Sequence, residues 1–341
     1  MPSTRIFARP GVAVALASCR AVADGRFAPS PTGVLHLGNL RTALVAWLWT
    51  RSTGGRFVLR FEDLDRGAVR AEHYDSQRRD LAALGLDWDV EHRQSDHADR
   101  YHAAIGELER AGLTYPCWCT RRELAAAAQA PQGDDLPEGA YPGTCRPPVP
   151  GMEPGSARRD RPPAIRLRAD GETVALEDLV AGPHSGRVDD LVLRRGDGTP
   201  SYNLAVVVDD AVDGVELVVR GDDLLASTPR QIRLAELLGL EVPAYAHVPL
   251  VLGPDGSRLA KRHGAVTLAD RLALGEEPDR VRDLLAASIG LLGTGERATP
   301  DELAARFDPA RILRRPWVLP PEGMTPDPPT TGPLTPSDEA P

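Results

Sequence analysis

Residues 25–61 run strand, proline-broken turn, apolar helix and strand, and that order argues for a parallel sheet. Gly25-Arg26-Phe27-Ala28-Pro29 begins as a short strand, which Pro29 and Pro31 stop because proline has no N–H for a ladder. His36 to Trp49 places Leu37, Leu40, Leu44, Val45 and Leu48 at the spacing of a buried helix. Arg56 to Phe61 is the next strand, closed by Glu62-Asp63-Leu64-Asp65. Helices are expected at Ala71 to Leu84 and Asp96 to Ala111. The alternation predicts an α/β fold with a doubly wound parallel sheet.

Further along, strands are expected at Ala164 to Leu167, Leu191 to Arg194, Leu204 to Val208 and Val215 to Arg220. Thr228 to Leu238 reads as a helix with Pro229 in its first turn, and 278–293 and 301–307 as further helices. A Cys-bearing stretch at 115–150 is rich in Pro, Gly and Ala and reads as an insertion. The expected organisation is a first half of the sheet domain at 25–112, an insertion at 113–190, a second half at 191–270 and a helical region at 271–317. Residues 318–341, dominated by Pro, Thr, Asp and Glu, are expected to be a disordered tail.

The net charge of −9 gives no global basic field for nucleic acid. An RNA contact would need a local patch: Arg158, Arg159, Arg161, Arg166 and Arg168, or Arg306, Arg311, Arg314 and Arg315, each equally readable as a solvated face. Of the 40 Lys and Arg residues one is a lysine, Lys261, in the glycine-rich loop Gly253 to Gly264. A compact, mobile ammonium suits a polyphosphate better than a fork-shaped guanidinium does. No apolar run approaches a membrane span.

In an open parallel sheet, ligands bind beyond the carboxyl ends of the strands. The turn Pro29 to Leu40 sits at such an end. Gly33 and Gly38 permit close backbone approach, the helix start offers N–H groups to phosphate, and His36 can donate to a developing oxyanion. Cys117, Cys119 and Cys145 supply three thiolates where zinc takes four ligands; buried free thiols are the alternative, and by residue type His184 or His102 would complete the set. Cys19 stands apart, and the four cysteines suit a reducing compartment rather than a disulfide framework.

Arg26-Phe27-Ala28-Pro29-Ser30-Pro31-Thr32-Gly33 followed by His36-Leu37-Gly38-Asn39 resembles the first signature of class I glutamyl-tRNA synthetases. Arg258-Leu259-Ala260-Lys261-Arg262 resembles the second, the lysine loop that closes on ATP. Phe61 to Asp65, Tyr202 to Ala205 and Arg220 to Leu224 match further blocks in order, so the resemblance covers roughly residues 25–270. With a helical region and then a Pro-rich tail after the loop, the chain is most similar to the glutamyl-queuosine tRNA(Asp) synthetase family, as is the stretch Arg187 to Gly198. Two departures are Ala260, where a serine is usual, and Lys261-Arg262-His263-Gly264, which is closer to the full-length synthetases.

The resemblance implies a Rossmann-type catalytic domain that activates L-glutamate with ATP and Mg2+. The glutamate is then attached to the queuosine base at the wobble position of tRNA(Asp). It implies Arg26, Ala28, Ser30, Glu62, Tyr202 and Arg220 at the glutamate, with two arginines for its carboxylates and Glu62 for its ammonium. It implies His36, Gly38, Asn39 and Lys261 at ATP, His36 and Lys261 being catalytic. It also implies one structural zinc, Zn2+, held by Cys117, Cys119, Cys145 and Tyr141. The alternatives are a glutamyl-tRNA synthetase charging the tRNA 3′ end, a non-catalytic RNA-binding or regulatory protein with a synthetase fold, and another nucleotidyltransferase of the same superfamily. A cytoplasmic monomer without membrane contact is expected. Residues 1–24, where Val12 to Cys19 after Arg5 and Arg9 reads like a short export signal with an apolar core at about the lower limit, are expected to be a disordered extension.

Overall fold

The first half of the chain alternates as its periodicity requires. β1 (Gly25–Phe27), α1 (Leu37–Ser52), β2 (Phe57–Phe61), α2 (Ala71–Ala83), β3 (Val90–Arg93) and α3 (Ala98–Arg110) follow in turn. Next come β4 (Thr114–Cys117), β5 (Ala164–Leu167), β6 (Thr173–Asp178), β7 (Gly182–Arg187) and β8 (Val192–Arg194). The second half holds α4 (Tyr202–Asp213), β9 (Leu217–Gly221), α5 (Thr228–Leu237), β10 (Ala244–Val248) and β11 (Val251–Leu252). Then follow α6 (Leu268–Ala273), α7 (Pro278–Ser288), α8 (Pro300–Arg306) and β12 (Trp317–Val318). The computed structural model describes residues 22–120, 122–124, 140–148, 161–259 and 261–319.

Five parallel strands lie in the order β10-β9-β1-β2-β3. The chain leaves β1 toward β2 and β3, then returns to the other side of β1 with β9 and β10. The order therefore reverses at β1, and a crevice opens at the carboxyl ends of β1 and β9. The doubly wound parallel sheet expected from the sequence is thus the fold.

Helix α1 is buried nearly all round, from Leu37 to Thr50, because it lies between the sheet and α7 and α8. Its one buried cation, Arg41, donates to the Pro249 carbonyl at 2.7 Å and to Ser288 Oγ at 2.9 Å. Gly25 lets helix and strand approach, since a Cβ there would fall 2.1 Å from Thr50 Oγ1.

The run Leu204 to Val208, expected as a strand, is instead the middle of α4. A short unbroken apolar run reads the same in a buried helix and a buried strand. Its ends decide: Ser201 Oγ accepts from Leu204 N, and Gly214 closes the helix at φ 71°. The helix expected at Asp96 to Ala111 begins with a 3-10 turn over Gln94–His97, and that at 278–293 stops at Ser288, two residues before Gly290 at φ 84°.

Between the halves, β4, β5 and β8 form a small antiparallel sheet, so Val192–Arg194 pairs here and not in the parallel sheet. The β6–β7 hairpin packs on α5 and β10. Helices α3, α4 and α5 share a second hydrophobic cluster with β5 and β8.

At the borders, Ala23 is buried, Asp24 accepts from Arg56, and β12 pairs with β11. Residues 1–21 of the expected extension and 320–341 of the expected tail lie outside the described residues. Arg158 and Arg159 also lie outside them. Arg166 is no part of an RNA patch: it is buried, donates to the Asp190 carbonyl and lies 3.6 Å over the Tyr141 ring. No described helix is long and apolar enough to cross a membrane.

Candidate active site

A cleft of about 610 Å3 occupies the crevice at the ends of β1 and β9. It is lined by Arg26, Ala28, Ser30, His36, Gly38, Asn39, Glu62, Tyr202 and Arg220, residues drawn from four separate sequence blocks. A second cavity, about 800 Å3, lies around Trp47, Trp49 and Phe307 at the far end of α1 and holds none of these residues.

The floor of the cleft is the start of α1. His36 Nδ1 accepts from Asn39 N at 3.2 Å, and Asn39 Oδ1 accepts from His36 N at 3.2 Å, a reciprocal cap. A neutral imidazole accepting at Nδ1 carries its proton on Nε2, where it is a donor. Burial keeps the ring neutral by lowering its pKa, against smaller raising effects of its backbone hydrogen bond and Asp223. A Cβ on Gly33 would meet no protein atom within 4 Å, so its missing side chain leaves open space in the cleft and does not bring backbones together.

Arg26 and Arg220 are 4% and 5% exposed, so neither can exist there without fixed partners. Arg26 donates from Nε to Asp210 Oδ1 at 3.3 Å and from Nη1 to the Val219 carbonyl at 3.0 Å. Asp210 Oδ1 also accepts from Arg60 Nη2 at 2.6 Å, and Arg60, wholly buried, reaches Asp213 at 3.1 Å and lies 3.8 Å from Glu62 and Asp209. Burial raises the Glu62 carboxyl to about 7, outweighing the pull of Arg60 and Arg26. Arg220 donates to Gln231 Oε1 at 2.8 Å, Thr228 Oγ1 at 2.9 Å, His247 Nε2 at 3.0 Å and Tyr202 Oη at 3.4 Å.

None of Arg60, Asp210, Gln231 or His247 was singled out from the sequence. The one available signal was Asp209-Asp210 and Asp213 bordering an apolar run, where burial would require cationic partners.

The segment directly after the lysine loop is tied to the first motif across more than two hundred residues. Leu37 N donates to the Val266 carbonyl at 2.7 Å, and His36 bridges Thr267. The loop turns where Gly253 N meets the Ser257 carbonyl at 2.8 Å, and Arg258 reaches Asp223 at 3.2 Å. Lys261 opens a 3-10 turn, Lys261–His263; Ala260 and the Lys261 side chain lie outside the described residues.

Away from the cleft, Cys117, Cys119 and Cys145 converge with their sulfurs within 4.8 Å of one another. Cys119 and Cys145 Sγ are 3.5 Å apart, close to the roughly 3.8 Å that tetrahedral zinc–thiolate bonds of about 2.3 Å impose. The Tyr141 hydroxyl lies 3.4 Å from Cys117 Sγ and 3.7 Å from Cys119 Sγ, and accepts from Cys145 N at 2.7 Å. This group can hold a metal ion; neither His102 nor His184 belongs to it.

A family model described as tRNA synthetases class I (E and Q), catalytic domain, matches residues 23–313. The chain is 58% identical over 301 residues to a glutamyl-Q tRNA(Asp) synthetase of Nocardia farcinica, covering 88% of this chain and 94% of that one. It is 48% identical over 310 residues to a protein of the same name from Symbiobacterium thermophilum, covering 87% and 96%. A glutamate–tRNA ligase of Pelobacter propionicus is 40% identical over 305 residues, covering 88% of this chain and 64% of its own. Among solved structures, a glutamate tRNA ligase from Elizabethkingia meningosepticum, crystallised with its amino acid, superposes with a TM-score of 0.73 at 26% identity, over 87% of this chain and 67% of that one.

Proposed function

The chain belongs to the class I (E and Q) tRNA synthetase catalytic-domain family and is an enzyme of the aminoacyl-tRNA synthetase kind, and from that premise we propose its reaction. It activates L-glutamate with ATP to glutamyl-adenylate and transfers the glutamyl group to the queuosine base at the wobble position of tRNA(Asp). One observation carries this reading: two buried arginines and a carboxylate whose side chain is 10% exposed face the same cleft as the start of α1. Glutamate brings two carboxylates and one ammonium, the complementary set.

Arg26 and Arg220 each grip a carboxylate, Tyr202 and Ser30 add hydrogen bonds, and Ala28 leaves room beside them. Glu62 takes the ammonium. The α-carboxylate oxygen attacks the α-phosphorus of ATP; a P–O bond forms to glutamate as the bond to the β-phosphate oxygen breaks, and pyrophosphate leaves with its Mg2+. A queuosine hydroxyl then attacks the acyl carbon and AMP departs. Little proton transfer is needed in the first step, so positioning and charge stabilisation set its rate. His36 donates from Nε2 to the phosphate oxygens, Gly38 and Asn39 present the helix start to ATP, and Lys261 neutralises the departing pyrophosphate. Cys117, Cys119, Cys145 and Tyr141 would hold a zinc ion that would fasten the inserted sheet, a reading the sulfur spacing supports.

The choice of queuosine over the 3′ end is supported by higher identity to the glutamyl-Q relatives than to the glutamate–tRNA ligase. Incubation with ATP, labelled glutamate and tRNA(Asp) with or without queuosine tests it. Label should require queuosine and map to the wobble nucleoside. Label on the 3′ adenosine of tRNA lacking queuosine would establish the competing reaction.

A further inference from the structure

Behind Arg220 lies a buried pair that the synthesis reaction does not itself use. His247 on β10 is 1% exposed and Asp178, the last residue of β6, is 2% exposed. Asp178 Oδ2 sits 2.6 Å from His247 Nδ1, and its carboxylate also accepts from the backbone N–H groups of His247, Val180 and Ala181. The opposite ring nitrogen, Nε2, lies 3.0 Å from Arg220 Nε and 3.2 Å from Thr228 Oγ1.

These contacts determine the tautomer. A guanidinium Nε–H only donates, so His247 Nε2 must carry a lone pair toward it. The ring proton is then on Nδ1 and donates to Asp178. A proton on Nε2 would point at the Arg220 N–H and break the contact. Burial and the neighbouring arginines, Arg220 and Arg26, lower the His247 pKa against the opposing pull of Asp178, which favours the neutral ring. Asp222, in the 3-10 turn packed against β10, is also electrostatically coupled to the ring.

We propose that Asp178 and His247 are positioning residues that hold the Arg220 guanidinium in the orientation that selects the substrate carboxylate. Arg220 has donors on three nitrogens, and the plane of the fork is fixed only when each finds an acceptor. Gln231 and Thr228 on α5 take Nη1 and Nη2, and the neutral imidazole takes Nε. Asp178 fixes that imidazole in turn, as a carboxylate fixes the tautomer of a functional histidine elsewhere. Asp178 belongs to the β6–β7 hairpin, outside the parallel sheet, so the hairpin has a direct line to the substrate pocket. Correct seating of the inserted segment is thereby sensed at the amino-acid site.

This rests on Arg220 as a glutamate ligand, and the test separates the two ideas. Glutamate-dependent ATP–pyrophosphate exchange is measured for His247→Leu, His247→Gln, Asp178→Asn and Arg220→Leu, with folding checked by circular dichroism and thermal melting. Loss of one hydrogen bond to a charged group should raise the KM for glutamate about tenfold in His247→Leu, with the KM for ATP unchanged. His247→Gln, whose amide oxygen can accept from Arg220, should recover most of that loss. Asp178→Asn should fall between them. A glutamate KM within twofold of wild type in folded His247→Leu, or equal rises in both KM values, overturns the proposal while Arg220→Leu still loses glutamate. If Arg220→Leu also keeps its glutamate KM, the assignment of Arg220 itself fails.

Discussion

An added Cβ at Gly38 would lie 2.9 Å from Cε1 and 3.0 Å from Nδ1 of His36. The glycine of the His36-Leu37-Gly38-Asn39 block is therefore the space into which the imidazole folds to cap α1. Contacts that short displace either the ring or the helix start. Gly38→Ala should cut ATP–pyrophosphate exchange by about ten- to a hundredfold and cost about 1 kcal/mol of stability through the lost cap. Exchange kinetics and thermal melts measure both, and a wild-type rate would show that the ring needs no such room.

His36 has two roles that substitution can separate. His36→Ala removes cap and donor together, whereas His36→Asn keeps a good N-cap side chain. Both should lose about a hundredfold or more in exchange, since one electrostatic donor is worth roughly 3–4 kcal/mol. Only the alanine variant should melt at lower temperature. Lys261→Ala should fold normally and lose exchange to a similar extent. Near-wild-type exchange in the His36 and Lys261 variants would remove both from the reaction.

Glu62 links pH to substrate binding. With its carboxyl raised to about 7, the free enzyme holds a partly protonated Glu62 at neutral pH. Binding an ammonium requires the carboxylate, so glutamate should bind more weakly as pH falls below about 7 and should release a proton near that pH. The stability effect has the opposite sign. The folded state binds more protons than the unfolded one between the ordinary value of 4.5 and about 7, so this group favours folding at low pH and loses that contribution as pH rises through about 7. Glu62→Gln should melt no lower than wild type at pH 8 yet bind glutamate at least about tenfold more weakly. Calorimetry in buffers of different ionisation enthalpy reads the proton, and glutamate binding without proton release at pH 7 would contradict the assignment.

The thiol cluster makes a compositional prediction. Metal analysis of the folded protein should return one zinc per chain, and Cys145→Ala should lower both the zinc content and the melting temperature. Tyr141→Phe should keep the zinc but bind it less tightly, because the three sulfurs remain. A folded preparation with well under one zinc per chain would leave three free thiols and no metal site.

The local signals in the sequence were the ones that survived folding unchanged. Proline punctuation, the apolar residues of α1 and Gly38 in its first turn act within a few residues, so β1, α1 and β2 were legible. Leu204 to Val208 was not, because its five residues carry no period that separates helix from strand, and α3 and β5, which pack on it, are far away in sequence. The cleft residues named from motifs came together, while their supports did not announce themselves. Asp210 looks like a surface acid and His247 like a core histidine until Arg26, Arg60 and Arg220 are placed beside them. Cys117, Cys119 and Cys145 were found by residue type and Tyr141 through the family resemblance; the fold brings Tyr141, and neither His102 nor His184, to the sulfurs.

The most direct test is a crystal structure with L-glutamate and a non-hydrolysable ATP analogue bound together. The two glutamate carboxylates should lie on Arg26 and Arg220, the ammonium on Glu62, and the α-phosphate beside His36 with Lys261 on the outer phosphates. Glutamate bound elsewhere, or Arg26 and Arg220 turned from it toward other partners, would contradict the account.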